Sequence, residues 1–168
     1  MQKRKRFQIT LLLLSACLGI WFACDCKAYA DNEVVVVIDP GHGGENLGAQ
    51  YDGYTEKDMT MVVAKAMQEE LQKFENITVY LTHDTDVDMS LKERAKFAQE
   101  KNADFLFSIH FNASVNHNLF GAEVWIPAYA DFYVKGYQFA EIQMAEFESM
   151  GLYSRGIKTK LNDIGEDY

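Results

Sequence analysis

The stretch that decides the fold is Val34-Val35-Val36-Val37-Ile38-Asp39-Pro40-Gly41-His42-Gly43-Gly44. Its first five residues are β-branched, and an unbroken apolar run of this kind is typical of a strand covered on both faces. The strand should stop at Asp39-Pro40-Gly41, because proline and glycine interrupt regular structure. We therefore expect a central strand over residues 33–38, followed by a glycine-rich loop that exposes His42.

Strands and helices alternate along the rest of the chain. Apolar runs predict further strands over residues 77–81, 105–109 and 121–126. Helices are predicted from a cap at Thr55 to about residue 74, from the capping box Ser90-x-x-Glu93 to about residue 101, and over residues 131–150 before Gly151. The first helix should bury one apolar stripe, made of Met59, Val62, Val63, Ala66, Leu71 and Phe74. This alternation predicts an α/β fold with a mostly parallel central sheet and crossover helices.

The composition is that of a folded, acidic protein. Of the 168 residues, 48% are hydrophobic and 24% are charged, and the formal net charge is −9. One domain is the default for this length. A negative field repels phosphate backbones and does not suit a polybasic membrane patch, so we expect no nucleic-acid partner and no electrostatic membrane binding.

Residues 1–30 have the order of a secretory signal peptide. Four basic residues precede an apolar stretch over residues 7–23, and Ala28-Tyr29-Ala30 has the small-x-small pattern that signal peptidase cleaves. An uncleaved membrane anchor and a lipoprotein signal at Leu14-Ser15-Ala16-Cys17 are the alternatives. All three cysteines precede the proposed cut, so a metal site in residues 31–168 must use histidine and carboxylate ligands. The expected location is secreted or associated with the cell wall.

Three potential metal ligands each follow a strand or open a helix. His42 lies in the glycine-rich loop, Glu56 in the first turn of the helix after Thr55, and His110 directly after the strand 105–109. Each alone has an ordinary structural interpretation, such as helix capping for Glu56. Together, two imidazoles and one carboxylate form the ligand set of a catalytic zinc site with a fourth position for water, and they suit Zn²⁺ better than Ca²⁺ or Mg²⁺.

Several short segments carry a family resemblance over roughly residues 33 to 160. They are Ile38-Asp39-Pro40-Gly41-His42-Gly43-Gly44, Gly48-Ala49, Glu56-Lys57, Leu81-Thr82, Leu91-x-x-Arg94, Ser108-Ile109-His110-Phe111-Asn112-Ala113 and Gly121-x-Glu123. In this order they resemble the zinc-dependent N-acetylmuramoyl-L-alanine amidases that cleave bacterial cell walls. The resemblance implies helices on both faces of the sheet and one Zn²⁺ held by His42, Glu56 and His110. It also implies peptidoglycan as substrate and hydrolysis of the amide between N-acetylmuramic acid and L-alanine.

The family also has a second glutamate, the general base, near the end of its domain. Its expected position lies beyond Tyr168, and Glu166 does not match it. Residues 31–168 are therefore expected to form an amidase catalytic domain that lacks the family's last strand and helix. This leaves a second function open, in which the chain is a zinc-containing module that lacks the general base, is catalytically impaired, and serves as a peptidoglycan-binding or regulatory module.

The other polar candidates have simpler interpretations. Asn112 could orient substrate or close a turn, and Arg94 should tie its helix to the sheet. We interpret His83 and His117 as solvated loop histidines. The acidic loop of Asp84, Asp86 and Asp88 is interpreted as solvated, because no EF-hand glycine and glutamate follow it. The aromatic residues Phe132, Tyr133, Tyr137, Phe139 and Phe147 should be mostly core. A dinucleotide site is disfavoured, because Gly41-His42-Gly43-Gly44 lacks the G-x-G-x-x-G spacing.

Overall fold

The computed structural model describes residues 33–114 and 120–161, and the side chains of residues 130 and 131 are not described. The predicted leader over residues 1–30, His117 and Glu166 lie outside the described residues. The chain divides into two compact units, Met1–Phe111 and Asn112–Tyr168. Among the helices in the described ranges, none combines the length and the apolar character needed to cross a membrane.

The first unit is built around a three-stranded parallel sheet. Its elements are β1 (Val34–Pro40), β2 (Gln50–Tyr51), β3 (Tyr54–Thr55), α1 (Glu56–Leu71), β4 (Ile77–Leu81), α2 (Leu91–Glu100) and β5 (Phe105–Ile109). The strand order is β4-β1-β5. The predicted strands 77–81 and 105–109 are confirmed, and β1 extends two residues further than predicted, to Pro40.

The register of the sheet brings two loops together. Ile38 pairs with Leu81 on one side and with Phe107 on the other, and Pro40 pairs with Ile109. Since the carboxyl ends of parallel strands meet at one edge of a sheet, the loop after β1 lies beside the residue that follows β5. The backbone N–H of Gly41 continues this pairing and donates to the carbonyl of Ile109 at 2.9 Å.

Helices cover both faces of the sheet. Val36 and Ile38 pack in one buried cluster with Ala64 of α1. Asp39 is the next residue along β1 and accepts a hydrogen bond from Arg94 of α2 at 2.6 Å. Because successive side chains of a strand point to opposite faces, α1 and α2 lie on opposite sides of β1. The expected arrangement of helices is therefore confirmed.

The buried stripe of α1 differs from the predicted one. Val62 and Val63 are 64% and 39% exposed, whereas Glu56, Thr60 and Ala64 are buried. The buried residues are four positions apart, the spacing of one helix face. The apolar pattern was misleading because two residues of the true face are polar and satisfy their hydrogen-bonding groups within the fold. Thr60, for example, donates its hydroxyl to the carbonyl of Gly41 at 2.8 Å.

The second unit contains a parallel β-α-β arrangement. Its elements are β6 (Ala122–Trp125), α3 (Ala130–Ser149) and β7 (Ser154–Lys158), and β6 pairs with β7. The predicted stop at Gly151 is confirmed, since Gly151 has a φ of 83° and its N–H donates to Glu148, while Leu152 donates to Phe147. The prediction that the helix aromatics are mostly core is wrong, because Phe132, Tyr133 and Tyr137 are 72%, 39% and 37% exposed. Phe139 and Phe147 are half-buried.

Candidate metal centre

His42 is presented by a loop in a left-handed backbone conformation. Its φ is 67°, which is unusual for a residue other than glycine. The loop begins where β1 ends, so the imidazole lies at the carboxyl edge of the sheet. The Nδ1 atom of His42 is 3.0 Å from Oδ1 of Asn46. This oxygen also accepts the N–H of Gly48 at 3.3 Å, so it acts as an acceptor. With a proton on Nδ1, His42 would donate to Asn46 and keep the Nε2 lone pair for a metal ion.

Glu56 is the first residue of α1 and is held by the backbone of two loops. Its Oε2 accepts the N–H of Ala49, and its Oε1 accepts the N–H of Phe111, each at 2.8 Å. Burial by itself would raise the pKa of Glu56. The two backbone donors, the bond with His110 and the charge of His42 outweigh burial and lower the pKa below its ordinary value of 4.5. The carboxylate is therefore ionised at neutral pH and fixed in orientation.

His110 follows β5 directly and packs against the start of the His42 loop. A Cβ atom on Gly41 would come within 2.4 Å of Cε1 of His110, so only glycine leaves room for the ring. The two imidazole rings lie edge to face, with centroids 4.9 Å apart. The exposed fraction of the His110 side chain is 47%, against 21% for His42 and 5% for Glu56. Glu56 thus lies at the buried bottom of the cluster, and the side of the cluster at His110 is open to solvent.

The three side chains could hold one metal ion. Nε2 of His42 is 3.1 Å from Oε2 of Glu56, and Nδ1 of His110 is 3.1 Å from Oε1 of Glu56. One potential ligand atom from each residue lies within 4.8 Å of the other two. Tetrahedral ligands at zinc distances stand about 3.4 Å apart, so the two separations from Glu56 fit such an ion. The histidine nitrogens, which lie within 4.8 Å of each other, can approach this spacing by rotation of the exposed His110 side chain. The structure therefore brings together the three residues that the sequence singled out as ligands.

A buried ionic network supports the loop that carries His42. Asp39 accepts hydrogen bonds from Thr82 and Ser108, both at 2.7 Å, and from Arg94 at 2.6 Å. Arg94 also donates to the carbonyls of Pro40 at 2.5 Å and His42 at 2.7 Å. The expectation that Arg94 ties its helix to the sheet is confirmed. The same guanidinium also fixes the backbone of a candidate ligand.

His83 is buried, so its interpretation as a solvated histidine is wrong. It is 8% exposed, and its Nδ1 lies 3.1 Å from the hydroxyl oxygen of Thr82. Because that hydroxyl donates its proton to Asp39, Nδ1 of His83 must be the donor in this contact. Burial, and after it the charge of Arg94, lower the pKa of His83. β4 ends at Leu81, but the N–H of Thr82 still donates to the carbonyl of Ile38 at 3.0 Å, so His83 directly follows a residue that is bonded to the central strand.

The remaining predicted residues lie apart from the three ligands or stay undecided. Asp84, Asp86 and Asp88 are exposed, as expected for a solvated loop. Asn112 is exposed, and its role toward substrate stays a prediction. Sequence reasoning missed Asn46 and Thr60, which orient His42 and Gly41. No composition or spacing signal marks Asn46, since an asparagine in a glycine-rich loop is ordinary turn chemistry.

Comparison with known proteins gives a consistent set of relatives. Residues 36–164 match a family model described as N-acetylmuramoyl-L-alanine amidase. The N-acetylmuramoyl-L-alanine amidase AmiC of Escherichia coli O6:H1 is 36% identical over 100 residues, which make up 59% of this chain and 24% of that protein. The amidase CwlM of Bacillus licheniformis is 40% identical over 81 residues, which make up 48% of this chain and 32% of that protein. The matched part thus spans less than a third of either curated relative.

Two solved structures share the fold and a third of the sequence. The N-acetylmuramoyl-L-alanine amidase from Clostridium difficile 630 has a TM-score of 0.68 at 35% identity, over 75% of this chain and 69% of that chain. Cwp6 from Clostridium difficile has a TM-score of 0.72 at 35% identity, over 81% of this chain and 22% of that chain.

Proposed function

Because the chain belongs to the N-acetylmuramoyl-L-alanine amidase family, we propose that it hydrolyses the amide between N-acetylmuramic acid and L-alanine in peptidoglycan. Residues 31–168 form its catalytic domain in this proposal. The observation that carries it is the convergence of His42, Glu56 and His110, whose ligand atoms lie within 4.8 Å of one another. Two imidazoles and a carboxylate are the protein ligands of hydrolytic zinc sites.

The metal ion in this proposal is a single Zn²⁺ held by His42, Glu56 and His110. When bound, zinc would supply a water of lowered pKa and would polarise a carbonyl, which are two of the requirements of amide hydrolysis. The third is an acid-base group that takes a proton from the water and delivers it to the leaving amine, the role of the family's second glutamate. The donor set supports zinc over Ca²⁺ or Mg²⁺, which prefer sites made of oxygen ligands alone.

The protein's own side chains prepare the site before substrate arrives. Glu56 is held ionised by two backbone N–H groups, and Asn46 orients the ring of His42 so that Nε2 faces the carboxylate. These contacts limit how far the two ligands must move when the ion binds. The exposed side of the site at His110 leaves an approach for a bulky substrate, as a polymeric cell wall requires.

The proposed substrate lies outside the cytoplasmic membrane, so the proposal includes export of the protein. Residues 1–30, interpreted as a signal peptide, would direct it there. Attachment to a membrane would then depend only on an uncleaved or lipidated N-terminus.

Digestion of purified peptidoglycan by the full chain tests the proposed reaction. With zinc present, mass spectrometry should find stem peptides that begin with free L-alanine and glycan strands with intact muramic acid. Chelation and Glu56→Ala should each abolish this release. The matched control is Glu70→Ala on the same helix, where the side chain is 71% exposed, and it should leave the release unchanged. Cleavage of a different bond, or bound zinc without any release, would contradict the proposal.

A further inference from the structure

The loop that begins at His42 has positive φ values at three consecutive residues. The φ values are 67° for His42, 135° for Gly43 and 57° for Gly44. Glycine adopts such values without steric cost, but histidine does not. The loop must therefore be held by contacts with its surroundings if His42 is to stay in this conformation.

Two side chains hold both backbone groups of Gly44. The ammonium of Lys57 donates to the carbonyl of Gly44 at 2.9 Å and to Oδ2 of Asp86 at 2.6 Å. The other oxygen of Asp86 accepts the N–H of Gly44 at 2.7 Å. These three bonds form a closed ring of contacts, which we call the Gly44 clamp, made of Lys57, Asp86 and Gly44. It joins the first turn of α1 to the loop that follows β4.

We propose that Lys57 and Asp86 are positioning residues for the metal site. Lys57 follows the ligand Glu56 directly, and Gly44 is two residues from the ligand His42. The clamp thus fixes the loop of one ligand to the helix turn that presents another. The clamp would thereby hold Nε2 of His42 and Oε2 of Glu56 at their observed separation of 3.1 Å before a metal ion binds. This inference rests on the proposed function, because it assigns the clamp a role toward the same metal ion.

The clamp contributes to the geometry of the site more than to the stability of the fold. The side chain of Lys57 is only 13% exposed, but that of Asp86 is 60% exposed, so solvent screens the pair and it contributes less to folding than a fully buried pair. Gly44 is half-buried, so water can replace the lost partners of its N–H and carbonyl groups. What is lost with the clamp is the restraint on the left-handed backbone. Residues that orient metal ligands typically change metal affinity about 10- to 100-fold when they are replaced.

The test is the Zn²⁺ dissociation constant of the full chain, measured by competition with a chromophoric chelator. Lys57→Met and Asp86→Ala should each weaken zinc binding about tenfold or more. The double variant should be weakened by less than the product of the two single effects, because both act on one residue. The matched controls are Lys73→Met, in an exposed ion pair with Glu70, and Asp84→Ala in the same acidic loop, and both should bind zinc like the parent.

Thermal unfolding of the metal-free variants separates positioning from a purely structural role. The midpoints of Lys57→Met and Asp86→Ala should stay close to those of their controls. Zinc affinities equal to the controls would overturn the inference, as would a loss of affinity matched by an equal loss of stability in the metal-free protein. If the parent binds zinc through His42 but the clamp variants bind equally well, only this inference fails. If the parent binds no zinc, the proposed function fails together with it.

Discussion

Replacement of Arg94 by methionine should destabilise the fold strongly. The guanidinium contacts Asp39 at 2.6 Å, and the side chains of this pair are only 6% and 4% exposed. It also donates to three backbone carbonyls, those of Met89, Pro40 and His42. Arg94→Met preserves much of the aliphatic stem, so packing changes little, but it leaves a buried carboxylate without its cation.

The magnitude follows from the burial of the pair. Removing one partner of a buried ion pair costs about 3–5 kcal/mol, because the remaining charge is uncompensated. Thr82 and Ser108 still donate to Asp39 and should keep the loss near the lower value. About 3 kcal/mol is a large part of the 5–15 kcal/mol that stabilises a typical domain. Arg94→Lys should recover only part of it, since an ammonium cannot replace the planar fork that reaches several acceptors.

Urea unfolding of the metal-free chain, followed by circular dichroism, measures this loss. The matched control is Lys96→Met on the same helix, because Lys96 forms an exposed pair with Glu100 at 3.5 Å. Such a pair contributes about 0.3–0.5 kcal/mol, so the control should unfold close to the parent. If Arg94→Met costs no more than Lys96→Met, the buried network does not stabilise the loop of His42 in the way we describe.

Three further predictions concern the site and its surroundings. Gly48→Ala should lower zinc affinity in calorimetric titrations, because the added Cβ would lie 2.5 Å from Cδ2 of His42. Gly53→Ala is the control, since Gly53 also has a positive φ but has no neighbour within 4 Å, and this variant should bind zinc like the parent. The pKa of His83 is lower in the folded chain than its ordinary value of 6.5, so as the pH falls below 6.5 the unfolded chain binds a proton at this residue before the folded chain does. The free energy of unfolding of the parent should therefore decrease, relative to that of His83→Asn, as the pH falls through this range. Parallel urea titrations at pH 8 and pH 5 would detect this, and an unchanged difference would contradict the burial we assign. Zinc at a hundredfold excess over its dissociation constant should stabilise the chain by about 2.7 kcal/mol, and chelation, or Glu56→Ala, should remove the gain in thermal unfolding.

The strands could be predicted from the sequence because their signal is local. β4 and β5 are short, mostly apolar runs flanked by polar residues, and β1 begins as a run of β-branched residues that ends at Asp39-Pro40-Gly41. Parallel pairing then requires the ends of β1 and β5 to share an edge, which places His42 near His110. The strand order itself was not predicted from the residues, so the expectation that His42 and His110 converge rested on the family resemblance, and the order β4-β1-β5 accounts for it.

The buried face of α1 could not be predicted from apolar spacing. Thr60 is buried because its hydroxyl bonds to Gly41, and Glu56 because two backbone N–H groups neutralise the cost of burying it. Such partners come from distant parts of the chain, so no window of sequence reveals them. Val62 and Val63, which carry the apolar signal, are exposed.

The strand β7 was missed for a related reason. Ser154–Lys158 contains two charged residues and a glycine, so it has neither an apolar run nor regular alternation. Its charges are satisfied across the strand pair, where Glu123 of β6 contacts both Arg155 and Lys158. The pairing with β6, which a single sequence does not display, makes this segment a strand.

Anomalous diffraction at the zinc edge, from crystals of the chain grown with zinc, tests the central claim most directly. We predict one strong peak within about 2.0–2.2 Å of a nitrogen of His42, an oxygen of Glu56 and a nitrogen of His110. A peak bound by other residues, or no peak near this cluster, would contradict the claim that these three side chains form the metal site of an amidase.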